Sequence, residues 1–212
     1  KKDNPASWDS HLIHVLPNPW KIQKVKNFAS LNHHEISKFY SKLCQLEIIS
    51  SYALRLLILT ATRTKEIIEA EFDEFNLKTK IWTIPAEKMK VRKEHKIPLS
   101  NEAISIVELM RKKHNHAFVF TNTSTGNHIS NGAMLVFIKK QFPNLKITVH
   151  GFRATFRDWA EETGNYSHYA IEFCLAHQLP NKVEKAYLRA DLIEQRKKIM
   201  NDWEKYLLFY SV

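Results

Sequence analysis

Cysteine is nearly absent from this chain of 212 residues, which holds only Cys44 and Cys174. Two thiols cannot build a disulfide framework, so the fold must rest on a packed core, and the composition fits a reduced, intracellular protein. Long apolar runs are missing too. The longest, from Leu54 to Ala61, carries Arg55 and is far shorter than the ~20 residues that span a bilayer, so it reads as a buried helix. Neither a signal-peptide pattern nor an initiating Met is present, and the expectation is a fragment of a longer protein. Metal-ligand sets are lacking as well. His33-His34 and His114-x-His116 concentrate imidazoles, yet no Cys or carboxylate stands beside them at ligand spacing, and both pairs read as surface residues. No metal and no cofactor is expected.

Positive charge is what the chain has in excess. With 32 Lys+Arg against 22 Asp+Glu the formal net charge is +10 and the pI about 9.5, which suits a polyanionic partner and steering towards it. A basic surface that is merely solvated would have the same composition. At 44% hydrophobic content the chain can bury one sizeable core.

Along the chain, residues 1–30 hold Pro5, Pro17 and Pro19 with no hydrophobic period and read as a linker. The body is expected over 31–190 and a C-terminal helix over 191–212. Asn32 with Glu35 fits a capping box, and Ile36, Phe39, Tyr40 and Leu43 repeat at helical spacing to about Leu46. An apolar helix from about Ser51 to Ala61 delivers Thr62 and Arg63 to the start of the next helix, where backbone N–H groups favour an anion. Short β-rich runs, Lys80 to Ile84 and His95 to Leu99, flank a basic loop with Lys88, Lys90, Arg92 and Lys93. Phe118-Val119-Phe120 reads as a third strand. Ser100 is placed as the N-cap of a helix to about Lys113, Asn131 to Gln141 as another helix, and Thr148 as the cap of a helix beginning near His150 and stopping at Gly164. In that helix Phe152, Phe156 and Trp159 face the core while Arg153 and Arg157 point elsewhere. Ile193, Arg196, Met200, Trp203 and Leu207 make the last helix amphipathic, and it needs an apolar surface to pack on. The predicted fold class is α+β, mainly helical with a small antiparallel three-stranded sheet.

The chemistry concentrates in His150-Gly151-Phe152-Arg153, then Leu175-Ala176-His177, then Tyr187, with Arg63 far upstream. His150 and Arg153 stand three residues apart, so on a helix they share a face and can touch one phosphate. A phenol among several cations can attack a phosphodiester. Each residue alone has an ordinary reading: Tyr187 a half-buried aromatic, Arg63 a partner of Glu66, His150 and His177 helix-end histidines. Together they suggest a site that cuts DNA.

Four blocks in order, Leu57 to Glu66, Ile81 to Lys90, His95 to Ser100 and Val149 to Ala160, followed by His177 and Tyr187, give the chain its resemblance to the tyrosine recombinases. It is most similar to the integrases of phages, satellite phages and integrative genetic islands, and the resemblance covers most of the chain. It implies the tyrosine recombinase catalytic-domain fold and a site-specific recombinase that integrates or excises a mobile element. In such an enzyme Tyr187 becomes linked to the DNA 3′-phosphate, Arg63 and Arg153 donate to the non-bridging oxygens, and His177 adds a further hydrogen bond. His150 stands near the phenol as acceptor or orienting donor, Lys90 protonates the departing 5′-oxygen, and Glu66 orients its neighbours. Lys90 is preferred over Lys88 because the family's hairpin lysine tends to lie eight residues before the proline of the next strand, here Pro98. Lys65, Lys88, Arg92, Lys93 and Arg157 are the expected DNA-backbone contacts.

The resemblance also implies double-stranded attachment sites as partner, a homotetramer on DNA, accessory DNA-bending or directionality factors, a bacterial cytoplasmic, nucleoid-associated location away from membranes, and DNA-binding domains ahead of residue 1. Its last helix packs on its own domain or on a neighbouring protomer. Two departures stand out: Lys65 and Ala176 occupy positions that are often Gly in relatives. An inactive DNA-binding module and a type IB topoisomerase are the alternatives.

Overall fold

The computed structural model describes residues 4, 6–17, 29–177 and 192–209. Within the expected linker, residues 8–15 form a short helical stretch. Helix α1 (His33–Cys44) begins where Asn32, in extended conformation, accepts the His34 N–H on its side chain at 2.9 Å. The expected reciprocal bond from the Glu35 side chain is not formed; the Glu35 N–H goes to the Asn32 carbonyl at 3.0 Å. Ile36, Phe39, Tyr40 and Leu43 are all buried, as their spacing requires.

Helix α2 (Ile49–Thr60) is the centre of the molecule. The later helices are α3 (Thr64–Ile68), α4 (Asn101–Lys113), α5 (Ala133–Gln141), α6 (Gly151–Thr163), α7 (His168–Cys174) and α8 (Ile193–Leu208). Because α2 is apolar nearly all round, it must be covered on every side, and it touches α1, α3, α4, α5, α6 and α8. Its one charge, Arg55, is paired with Glu102 of α4 and lies over the rings of Tyr40 and Tyr52, at 5.9 and 5.3 Å. Such pairing is what a guanidinium against the core requires.

Three short strands, β1 (Phe75–Asn76), β2 (Ile81–Ile84) and β3 (His95–Pro98), form an antiparallel sheet in that order. Trp82 faces Ile97 and Ile84 faces His95 across the β2–β3 ladder. Alternation puts Trp82, Ile84, His95 and Ile97 on the inner face. The third strand is therefore Phe75–Asn76 and not residues 118–120 as expected. Phe118 makes only an isolated bridge to Glu71. The chain coils into a helical turn at Phe72–Glu74 directly after Glu71, so that ladder cannot extend. Val119 and Phe120 are buried all the same.

Helix α8 lays its apolar face on α1, α2 and α7 and touches β3. Trp203 packs against Trp159 at 4.8 Å, and its indole N–H donates to the Ile58 carbonyl at 2.8 Å. Glu204 of α8 accepts the Glu102 N–H and so caps α4, a task that the buried Ser100 hydroxyl does not perform. His33 corrects the surface reading of its pair. It is buried, with Nε2 2.8 Å from Glu162 of α6 and Nδ1 3.2 Å from the Tyr206 hydroxyl of α8, so one imidazole joins three helices. No helix among the described residues is long and apolar enough to cross a membrane.

Candidate active site

Two helices end at the same place, and their last carbonyls build the site. The final carbonyls of any helix lack intrahelical partners and carry partial negative charge, so they attract cationic donors. Helix α2 ends in Ala61, which adopts a left-handed conformation (φ 51°) and turns its carbonyl onto Nη1 of Arg153. Helix α7 ends in a Schellman motif. The His177 N–H bonds the Glu172 carbonyl at 3.0 Å and the Ala176 N–H bonds the Phe173 carbonyl at 3.2 Å, with Ala176 left-handed at φ 49°. That motif leaves the next carbonyls unpaired within the helix. Leu175 O accepts from Arg153 Nη2 at 2.6 Å, and Ala176 O accepts from Arg63 Nη2 at 3.3 Å.

Ala176 thus occupies the position where glycine is the usual solution, because an L side chain in the left-handed region costs about 1–2 kcal/mol. Ala176→Gly is expected to raise stability by about 0.5–1 kcal/mol once the greater flexibility of the unfolded glycine is set against that relief. Urea denaturation of the two proteins measures it; a lower midpoint for the glycine variant would show that the alanine is unstrained.

Arg63 stands at the N-cap of α3, with its N–H on Glu66 Oε2 at 2.7 Å and Nη1 on Oε1 at 2.8 Å. Glu66, itself buried, holds both the backbone and the fork of Arg63. Arg153 is 4% exposed, whereas the helical pattern had sent it away from the core. Burial, then the nearby Arg63, pulls its pKa down to about 10, and Glu66 and Glu172 oppose that fall. Two guanidiniums are held together against their mutual repulsion. Among the described residues, the contacts just named use two of Arg63's five N–H donors.

The third contact of Arg153, from Nη2 to His177 Nε2 at 3.1 Å, settles the tautomer of that histidine. A guanidinium can only donate, so Nε2 carries the lone pair and the proton sits on Nδ1, which donates to Glu172 Oε2 at 2.8 Å. Burial lowers the His177 pKa despite the bond to Glu172. Glu172 is also 3.2 Å from Arg157, which pairs with Glu161 at 3.0 Å as well. Arg157, expected on the DNA backbone, is partly exposed and stands beside the carboxylate that orients His177.

His150 lies at the N-cap of α6, exposed, after Thr148 Oγ1 has taken the Gly151 N–H at 3.0 Å. Its pKa is lowered by partial burial and then by Arg153, Arg63 and His177, which favours the neutral imidazole. Gly151 is required by packing: a Cβ there would stand 2.2 Å from the Ala29 carbonyl.

The structure therefore brings together Arg63, Glu66, His150, Arg153 and His177. Lys90 is exposed in the β2–β3 loop, as are Arg92 and Lys93, and Met89 anchors the loop in the core. Lys88 turns inward to the Glu69 carbonyl at 2.9 Å, to Glu71 at 2.7 Å and to Glu74. Lys65 is exposed, 3.6 Å from Glu69. Tyr187 and the helix expected around it lie outside the described residues.

Three residues to which the sequence assigned no site role complete the site. Glu172 orients His177. His95, on the inner face of β3, lies beside the Cys174 backbone, whose influence favours its protonated form. Arg196 reaches the same turn from α8. The inward alternation of His95 with Ile97 was the available signal for the second; for Glu172 and Arg196 none existed beyond helical phase.

A profile of the phage integrase family matches residues 29–192, and the chain belongs to that family. Among relatives, prophage integrase IntZ of Escherichia coli (strain K12) is 34% identical over 190 residues, covering 89% of this chain and 47% of that protein. The integrase of Enterobacteria phage P4 is 26% identical over 218 residues, covering 94% of this chain and 50% of that protein. The chain thus spans about half the length of these relatives. Among solved structures, the integrase from mycobacterium phage Brujita superposes with a TM-score of 0.61 at 16% identity, over 91% of this chain and 63% of that one. The Tn1549 transposon integrase in complex with circular intermediate DNA gives 0.58 at 16% identity, over 89% and 67%. The fold is the tyrosine recombinase catalytic-domain fold, mostly helical with its small three-stranded sheet.

Proposed function

We propose that this chain is the catalytic part of a site-specific DNA recombinase that cuts and rejoins double-stranded attachment sites through a covalent 3′-phosphotyrosine. The observation that carries the reading is the pair Arg63 and Arg153, fixed at two helix ends beside an oriented His177. Attack on a phosphodiester gathers negative charge on the non-bridging oxygens, and preorganised donors aimed there supply the largest share of catalysis. Arginine forks fit those oxygens.

In this scheme the Tyr187 oxygen bonds to phosphorus, the bond from phosphorus to the 5′-oxygen breaks, and Lys90 gives that oxygen its proton. Neutral His150 takes the phenolic proton. An entering phosphate draws Arg153 donors to itself and favours a proton on His177 Nε2, with Glu172 stabilising the imidazolium. The phosphotyrosine conserves the bond's energy, so a second 5′-hydroxyl reverses the step without ATP. Assembly as a tetramer on paired sites, with accessory factors for direction, belongs to the same reading, as does a cytoplasmic, nucleoid-associated location. Residues 31–190 are the catalytic unit in it, with α8 closing on its own domain.

A nicked suicide duplex carrying the attachment core tests it. The wild-type chain is expected to give a covalent protein–DNA band on a denaturing gel, and Tyr187→Phe none. A band that persists in the phenylalanine variant would remove Tyr187 as nucleophile. An adduct accompanied by supercoil relaxation without strand exchange would replace the recombinase reading with a topoisomerase one.

A further inference from the structure

Helix α8 carries an arginine at its most deeply buried level. Arg196 is 1% exposed, like Met200 one turn on, although packing an apolar face calls for no guanidinium. Burying that group is costly unless its donors are met. Its Nη2 donates to the Lys96 carbonyl of β3, and its charge acts on the Cys174 thiol at the end of α7, the helix on which α8 packs. The neighbouring His95 ring feels its charge and the influence of the Cys174 backbone. Arg196 therefore acts on both segments that frame the site, the β3 strand and the last turn of α7. The next two carbonyls of that turn are the ones that hold Arg153 and Arg63.

We propose that Arg196 is a positioning residue: it braces the C-terminal turn of α7 against β3 and so sets where Arg63, Arg153 and His177 present their donors to a DNA phosphate. The turn needs such a brace because it contains left-handed Ala176 and carries two mutually repelling guanidiniums. A planar fork can hold the strand carbonyl while keeping its charge beside the end of α7, whereas a lysine ammonium is a single point charge that does one or the other. The proposal rests on the recombinase reading for its catalytic consequence, but its structural part stands independently.

The test compares the 212-residue chain with Arg196→Met and Arg196→Lys. Arg196→Met removes the buried charge but leaves the Lys96 carbonyl without this donor, so it is expected to melt modestly lower than wild type and to bind the nicked duplex with unchanged half-saturation. Its single-turnover rate of adduct formation is expected to fall about 100-fold, the scale of a 1 Å misplacement, and Arg196→Lys to recover part of that loss. A rate that is unchanged, or that falls only in step with the folded fraction, would overturn the proposal. A second readout needs no catalysis. The imidazole NMR signals of His177 in the DNA-free chain should move in Arg196→Met, and an unmoved His177 spectrum would equally overturn it. Should wild type form no adduct, the recombinase reading fails while the His177 signals still decide the positioning role. If Arg196→Met does not fold, Arg196→Lys carries both readouts.

Discussion

Arg153→Lys is expected to slow tyrosyl–DNA adduct formation by roughly 10²–10³-fold, the cost of one preorganised donor to a developing oxyanion. The variant keeps a positive charge. What it loses is the fork that joins the Ala61 and Leu175 carbonyls while lying against His177 Nε2. A lysine ammonium cannot span both helix ends, so the new cation is displaced towards one of them and the other carbonyl is stranded. Arg153→Ala goes further: it strands both carbonyls in a buried place and is expected to cost roughly 2–4 kcal/mol of stability besides abolishing adduct formation. Single-turnover kinetics on the nicked duplex and thermal melting separate the two effects. The site's own repulsion supplies a further check. Arg63 and Arg153 lie close enough to depress the pKa of Arg153, so an anion that enters relieves them, and inorganic phosphate should raise the melting temperature of wild type but not of Arg153→Ala. Equal stabilisation of both proteins by phosphate would place the anion elsewhere.

Local patterns foretold the parts of this molecule whose causes are local. The spacing of Ile36, Phe39, Tyr40 and Leu43 names the inner face of α1 because every turn of a helix repeats it. Thr148 caps the Gly151 N–H as its position suggests, since a cap is decided within three residues. The convergence of Arg63, Arg153 and His177 was legible only through resemblance, for nothing in a single segment says that α2 and α7 end side by side. What stayed hidden has partners far along the chain. His33 is a helix-end histidine by sequence, and its burial depends on Glu162 and Tyr206 from two other helices. Arg196 fell into the apolar phase of α8, but phase gives a direction and not a contact; the carbonyl it caps belongs to Lys96. Lys88 and Lys90 are equivalent by composition, and only the fold shows Lys88 drawn in by Glu71 and Glu74. Two-residue β1 could not be seen at all, because a strand of that length has no period, while buried Val119 and Phe120 imitate one.

His95 makes stability depend on pH, and between pH 7 and 5 it does so where carboxylates contribute little. Burial first, then the charges of Arg196, Arg63 and Arg153, lowers its pKa to about 3, against about 6.5 in an unfolded chain. The Cys174 backbone only partly offsets them. As pH falls the unfolded chain takes up this proton first, so the contribution is intact above pH 6.5 and is lost progressively down to about 3. His150 and His177, lowered as well, act in the same direction. Each pH unit within the window removes up to about 1.4 kcal/mol for one proton, so His95 alone is expected to cost roughly 2 kcal/mol between pH 6.5 and 5. His95→Gln keeps a hydrogen-bonding side chain without the titration. It should lower stability at pH 7 and flatten the slope below it, because no proton is then waiting to be taken up. Urea midpoints of both proteins at pH 7, 6 and 5 measure the difference. Parallel slopes would mean that His95 titrates in the folded protein as it does unfolded, and that neither its burial nor the three arginines act on it as their places in the fold require.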